Sequence, residues 1–121
     1  MSCIFQTAFS QEANLKEIYN KKLLAVKTLK IDEVSKYVTS NVIDEIKKQK
    51  DPKAMIFLMG YTSPIEYTTG AEKFDYSTAT LEIKGKARNP KQKGATCDFT
   101  GIIHFKKEND SWKVSSEDFN F

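Results

Sequence analysis

One histidine and two cysteines are all the imidazole and thiol that this 121-residue chain contains. Cys3 and Cys97 stand far apart and in no metal-ligand spacing, so an ordinary zinc constellation is not available, and neither a metal nor a cofactor is expected. The two cysteines are expected to be free thiols, because Cys3 falls in an end segment that reads as frayed. Glycine and proline are sparse too, with five and three residues. No Walker-type loop, dinucleotide fingerprint or serine elbow occurs, since Gly85, Gly94 and Gly101 fall in strand or hairpin positions and not between a strand and a helix. Long apolar runs are missing, so no bilayer span is expected. The opening "MSCIFQTAFSQEANLKE" has a short apolar patch but neither a basic n-region nor a full h-region. As it stands the chain reads as cytoplasmic, or as exported if these residues are the trimmed end of a signal peptide. Residues 1–11 are expected to be a flexible N-terminal segment of one domain spanning 1–121.

A strong charge of one sign is also lacking. The net charge is +3, and lysines are interleaved with aspartates and glutamates along most of the chain, which argues against a nucleic-acid surface. The local exception is Lys84, Lys86, Arg88, Lys91 and Lys93 around "RNPKQKG", read as a solvated hairpin tip. Hydrophobic residues make up 40% and charged residues 29%. That balance fits a globular domain with a core that buries roughly two-thirds of the unfolded surface.

What is present divides by period. Up to about Tyr61 the pattern is helical, and after Pro64 it is that of strands, a segregation that signals α+β and not alternating α/β. Leu15, Ile18, Tyr19, Leu23, Val26 and Leu29 recur at three- and four-residue steps and predict one buried helix face, with lysines and glutamates opposite. Asp32 is placed to cap a short helix through Val38, and Thr39 or Ser40 another carrying Val42, Ile43 and Ile46. Asp51-Pro52 marks a third start, and "AMIFLMGY" then predicts a short, well-buried helix. A strand from Ile65 to Thr69 is expected to end at Gly70. From Ser77 to Ala87 and from Cys97 to Lys106 the period is two. Both apolar sets are odd-numbered, so antiparallel pairing must set Asp98 opposite Lys84 or Lys86. "ENDS" predicts a tight turn into "WKVSSEDFNF", where a bulge near Ser116 to Asp118 would reconcile Trp112 and Val114 with Phe119 and Phe121.

Chemistry is thinly represented. His104 alternates with Ile103 and Phe105 and belongs to the opposite face, so no catalytic residue is assigned. Cys97 has no histidine on its face to ionise it. Glu66, Glu72, Asp75 and Glu82 show no diagnostic pairing. Tyr37, Phe57, Tyr67, Phe99, Ile103, Phe105 and Trp112 either fill the core or line a pocket for a small apolar ligand.

The stretch "LLAVKTLKIDEVSKYVTSNVIDEI" followed by "GIIHFKKENDSWKVSSEDFNF" resembles the NTF2-like (cystatin-like) superfamily. It is closest in type to small, non-catalytic or uncharacterised bacterial domains of the lumazine-binding kind. The resemblance implies N-terminal helices packed in the cone of a curved antiparallel sheet, and often a homodimer through the outer sheet face, here through Tyr76, Ile102, His104, Phe119 and Phe121. Two functions follow as expectations. One is a non-enzymatic binding or protein-interaction domain. The other is a small-molecule isomerase, cyclase or hydrolase that would use Glu66, Glu82 or Asp98 as a base inside the cone. They are told apart by whether a carboxylate, or His104, points to the concave side.

Overall fold

The structure, a computed structural model, describes residues 14–121. The expected N-terminal segment and Cys3 lie outside the described residues. Among these residues four helices come first, α1 (Leu15–Lys27), α2 (Ile31–Val34), α3 (Ser40–Lys47) and α4 (Pro52–Tyr61). Four strands follow, β1 (Glu66–Phe74), β2 (Thr78–Arg88), β3 (Thr96–Glu108) and β4 (Ser111–Asn120), as one antiparallel sheet in the order β1-β2-β3-β4. This is the expected α+β architecture, with the helices against one face of a curved sheet.

The register of β2 on β3 follows the parity of the sequence. Ala79 pairs with Phe105, Leu81 with Ile103, Gly85 with Phe99 and Lys86 with Asp98. Ala79, Leu81, Ile83, Phe99, Ile103 and Phe105 are all buried with Leu15, Tyr19, Val26, Val34 and Ile56 from the helices. The "ENDS" turn is tight, with Asn109 and Asp110 both at positive φ, the backbone that a two-residue hairpin of this twist requires.

Some local signals resolve differently. Asp51 caps α4 as expected, its Oδ1 accepting from the Ala54 amide at 3.2 Å. Asp32 caps nothing and sits inside α2, whose N-cap is Lys30. Neither Thr39 nor Ser40 closes the start of α3 with its own side chain. Instead Glu108, beside the β3–β4 turn, accepts from the Ser40 amide at 3.2 Å and from its hydroxyl at 3.0 Å. A carboxylate at that helix start is favoured by the dipole. Strand β1 does not end at Gly70; it slips register between Thr69 and Glu72 and continues to Phe74. Helix α4 is apolar but not well buried: only Ile56 is fully covered, while Phe57 and Leu58 are exposed. The helix touches the domain along one narrow stripe, and its sequence carries more apolar residues than that stripe can hide.

Candidate functional site

The helical face of α1 that meets the sheet contains a lysine. Lys22 lies three residues after Tyr19 and four before Val26, inside the apolar stripe, and is only 2% exposed. Its partner comes from β4. The register shift between His104 and Phe105 places one extra residue, Ser115, between Val114 and Ser116. That bulge turns Glu117 and Phe119 toward the helices. Glu117 Oε2 accepts from Lys22 Nζ at 2.6 Å, and Oε1 accepts from the Tyr19 hydroxyl at 2.5 Å. Burial first, and then the Glu117 carboxylate beside it, push the Tyr19 phenol far above its ordinary value, so it stays protonated and donating. Tyr67 packs edge-on against Tyr19 at 5.5 Å and gives its hydroxyl to Asn20. A recess of about 200 Å³ opens beside the pair, lined by Lys22, Met59, Thr62, Ser63, Glu117 and Phe119.

The outer face of the sheet has a larger depression, about 530 Å³, that crosses all four strands. Glu82, Lys84, Thr100, Ile102, Asp118 and Asn120 form most of its wall. Ile102 is 41% exposed at its centre. Charges of both signs surround it, with Lys86 Nζ on Asp98 at 2.9 Å and His104 Nε2 against Asp118 Oδ2 at 2.9 Å.

The residues expected to line a pocket are dispersed. Phe99, Ile103, Phe105 and Trp112 are packed in the core, Tyr37 and Tyr67 are half-buried at its border, and Phe57 faces solvent. Of the residues expected on the outer face, Ile102 and His104 are there. Tyr76 projects from the β1–β2 turn almost wholly exposed. Phe119 is not on that face: the bulge turns it inward, where it packs on Phe99 at 4.9 Å, and Phe121, past the end of β4, lies on the same side, 6.3 Å from Phe99, but is 56% exposed. Glu66, Glu82 and Asp98, the expected bases, are exposed, and the carboxylate that does point inward is Glu117. The sequence held a signal for it, a lysine within an apolar helical stripe, which demands a buried anion elsewhere. Among the described residues no three His, Cys, Asp or Glu gather to hold a metal ion. Cys97 is a free, half-buried thiol. No helix among the described residues is long and apolar enough to cross a membrane.

The chain matches no family model, and no curated protein matches it in sequence. Its fold does match solved structures. A designed NTF2-like protein superposes with a TM-score of 0.59 at 9% identity, over 90% of this chain and 98% of that one. An NTF-2 like protein of unknown function from Shewanella oneidensis gives 0.53 at 10% identity, over 88% and 95%. A SEC-C motif containing protein from Rhodopseudomonas palustris gives 0.55 at 16% identity, over 78% and 70%. At these identities the likeness is one of fold, and the fold is NTF2-like.

Proposed function

We propose that this NTF2-like fold serves as a non-enzymatic binding or protein-interaction domain that pairs with a second copy of itself through the outer face of its sheet. The observation that carries the reading is the depression centred on the exposed Ile102, with Glu82 and Asp118 flanking it on the two neighbouring strands and Lys84 beside Glu82. An isologous contact needs a patch complementary to itself, and an apolar centre ringed by both signs of charge meets that need. The interior supports a partner over a large ligand, because Phe99, Ile103 and Phe105 fill the cone, and the recess beside Lys22 and Glu117 is about 200 Å³.

The alternative, an isomerase, cyclase or hydrolase, requires an inward carboxylate free to take a proton. Glu117 has one oxygen committed to Tyr19 and the other to Lys22. It acts as a strut between helix and strand, which supports the non-enzymatic reading. Sedimentation velocity at high micromolar concentration tests the pairing. The wild-type chain should sediment as a dimer, and Ile102→Asp should give a monomer with unchanged circular dichroism. A monomeric wild-type chain would overturn the self-association.

A further inference from the structure

Helix α4 crosses α1 at Gly60, where an added Cβ would stand 3.2 Å from Val26 Cγ1. Two adjoining depressions open at that crossing, one of about 700 Å³ and one of about 340 Å³, joined through Lys27, Gly60 and Arg88. Around this trough Leu24 is 63% exposed, Phe57 58%, Ile65 52% and Tyr61 41%. Phe57 and Tyr61 stack at 6.5 Å as a single apolar ridge. Arg88 is fixed at the centre, its Nη1 donating to the Tyr61 carbonyl at 2.9 Å and its guanidinium lying 4.7 Å over the Tyr61 ring. Among the described residues, the charged side chains lining the trough are Lys16, Lys27 and Arg88 against one acid, Glu66.

We propose that this trough is a docking site for an acidic amphipathic helix of a partner protein. Contiguous exposed apolar side chains of this size mark interaction surfaces in soluble domains. The trough follows α1 from Lys16 to Lys27, roughly 16 Å at helical rise, which is the length of about three turns of a third helix laid beside two others. The excess of cations on its rim selects acids on the flanks of that helix, since rim charges set partner choice and association rate. A basic helix would set like charges against Lys16, Lys27 and Arg88. The site rests on the interaction-domain reading but lies on the helical side of the molecule, apart from the sheet face proposed for self-association.

The test uses the whole chain and a synthetic helical peptide of about fifteen residues, with Leu and Phe along one face and Glu on the other. Two controls accompany it, one with Lys in place of Glu and one with the same composition scrambled. Titration by fluorescence anisotropy should give saturable binding of the acidic peptide, at least about tenfold tighter than either control and weakening as salt rises. Leu24→Asp and Tyr61→Ala should each weaken it by about tenfold or more, and because Leu24 is largely exposed, Leu24→Asp leaves the core intact. Equal binding of the acidic and basic peptides, or binding indifferent to Leu24→Asp, would overturn the proposal. So would a dimer that Leu24→Asp converts to monomer, which would make the trough a self-contact. Ile102→Asp should leave peptide binding unchanged, so the loss of one surface is read separately from the other.

Discussion

Lys22 and Glu117 meet at 2.6 Å across the seam between α1 and β4, one 2% exposed and the other 21%. Two opposite charges withdrawn from water offset their desolvation by mutual attraction while paired, but either one alone would bear that cost uncompensated. Glu117→Ala should therefore destabilise the domain by about 3–5 kcal/mol, and Lys22→Met by less, because Glu117 keeps Tyr19 and partial access to water. The double variant Lys22→Met/Glu117→Gln, which retains an acceptor for Tyr19, should recover most of that loss. Urea denaturation of Lys22→Met, Glu117→Gln and the double closes the cycle, and strictly additive losses would show that the pair is not coupled.

The Tyr19 phenol gives the pair a signature in alkali. Its folded value is raised, so the stabilisation it reports is complete below the ordinary tyrosine value of about 10 and is lost as pH climbs beyond it. Above that point the unfolded chain releases the proton and the folded one does not, which lowers stability by about 1.4 kcal/mol per pH unit from this group. Urea midpoints at a series of pH values above 9 should fall more steeply for wild type than for Tyr19→Phe. Parallel curves would contradict the burial of a protonated Tyr19.

Two glycines permit close approaches in the sheet. A Cβ at Gly85 would stand 2.1 Å from the Glu66 carbonyl oxygen, whereas one at Gly101 would meet the Phe119 ring at 2.8 Å. Backbone cannot step aside as a ring can. Gly85→Ala should cost more than the roughly 1–3 kcal/mol usual for overpacking, and Gly101→Ala should fall within that range. Thermal unfolding of both variants checks the order.

Opposite faces of β3 should respond oppositely. Phe99 is 4% exposed and stacked on Phe119, so Phe99→Ala should cost about 3–5 kcal/mol. His104 is paired with Asp118 at the surface, and His104→Ala should cost under about 1 kcal/mol. A larger loss at His104 in chemical denaturation would mean the two faces are inverted.

The sheet was legible because parity is a strict code: once two alternating strands share an odd-numbered apolar set, the pairing of Lys86 with Asp98 is one of two choices. The inward carboxylate was harder to see. Its face depends on where β4 bulges: the parity of its apolar residues called for a bulge near Ser116 to Asp118, and the structure has it at Ser115. Phe119 and Phe121 were expected on the outer face, although a bulge that aligns them with Trp112 and Val114 turns that strand's odd-numbered residues to the inner one. Helix α4 misled in another way, since a run such as "AMIFLMGY" shows apolar content but not how much of the helix its neighbours cover. Lys22 was overlooked because a lysine on a helix is ordinarily solvated, although its position between Tyr19 and Val26 placed it on the buried stripe.

Each strand pairs with its neighbour in the chain, and α1 with β4 joins the most distant parts of the described fold. Such a meander has low contact order within the sheet, so its hairpins can zip locally before any long loop closes. Docking the first helix on the last strand closes a loop of nearly the whole domain, a step with a large entropic cost that is best left until the sheet stands. The Lys22–Glu117 seam then belongs to the late side of the folding barrier. Substitutions there would chiefly quicken unfolding and leave the refolding limb of a chevron almost where it was.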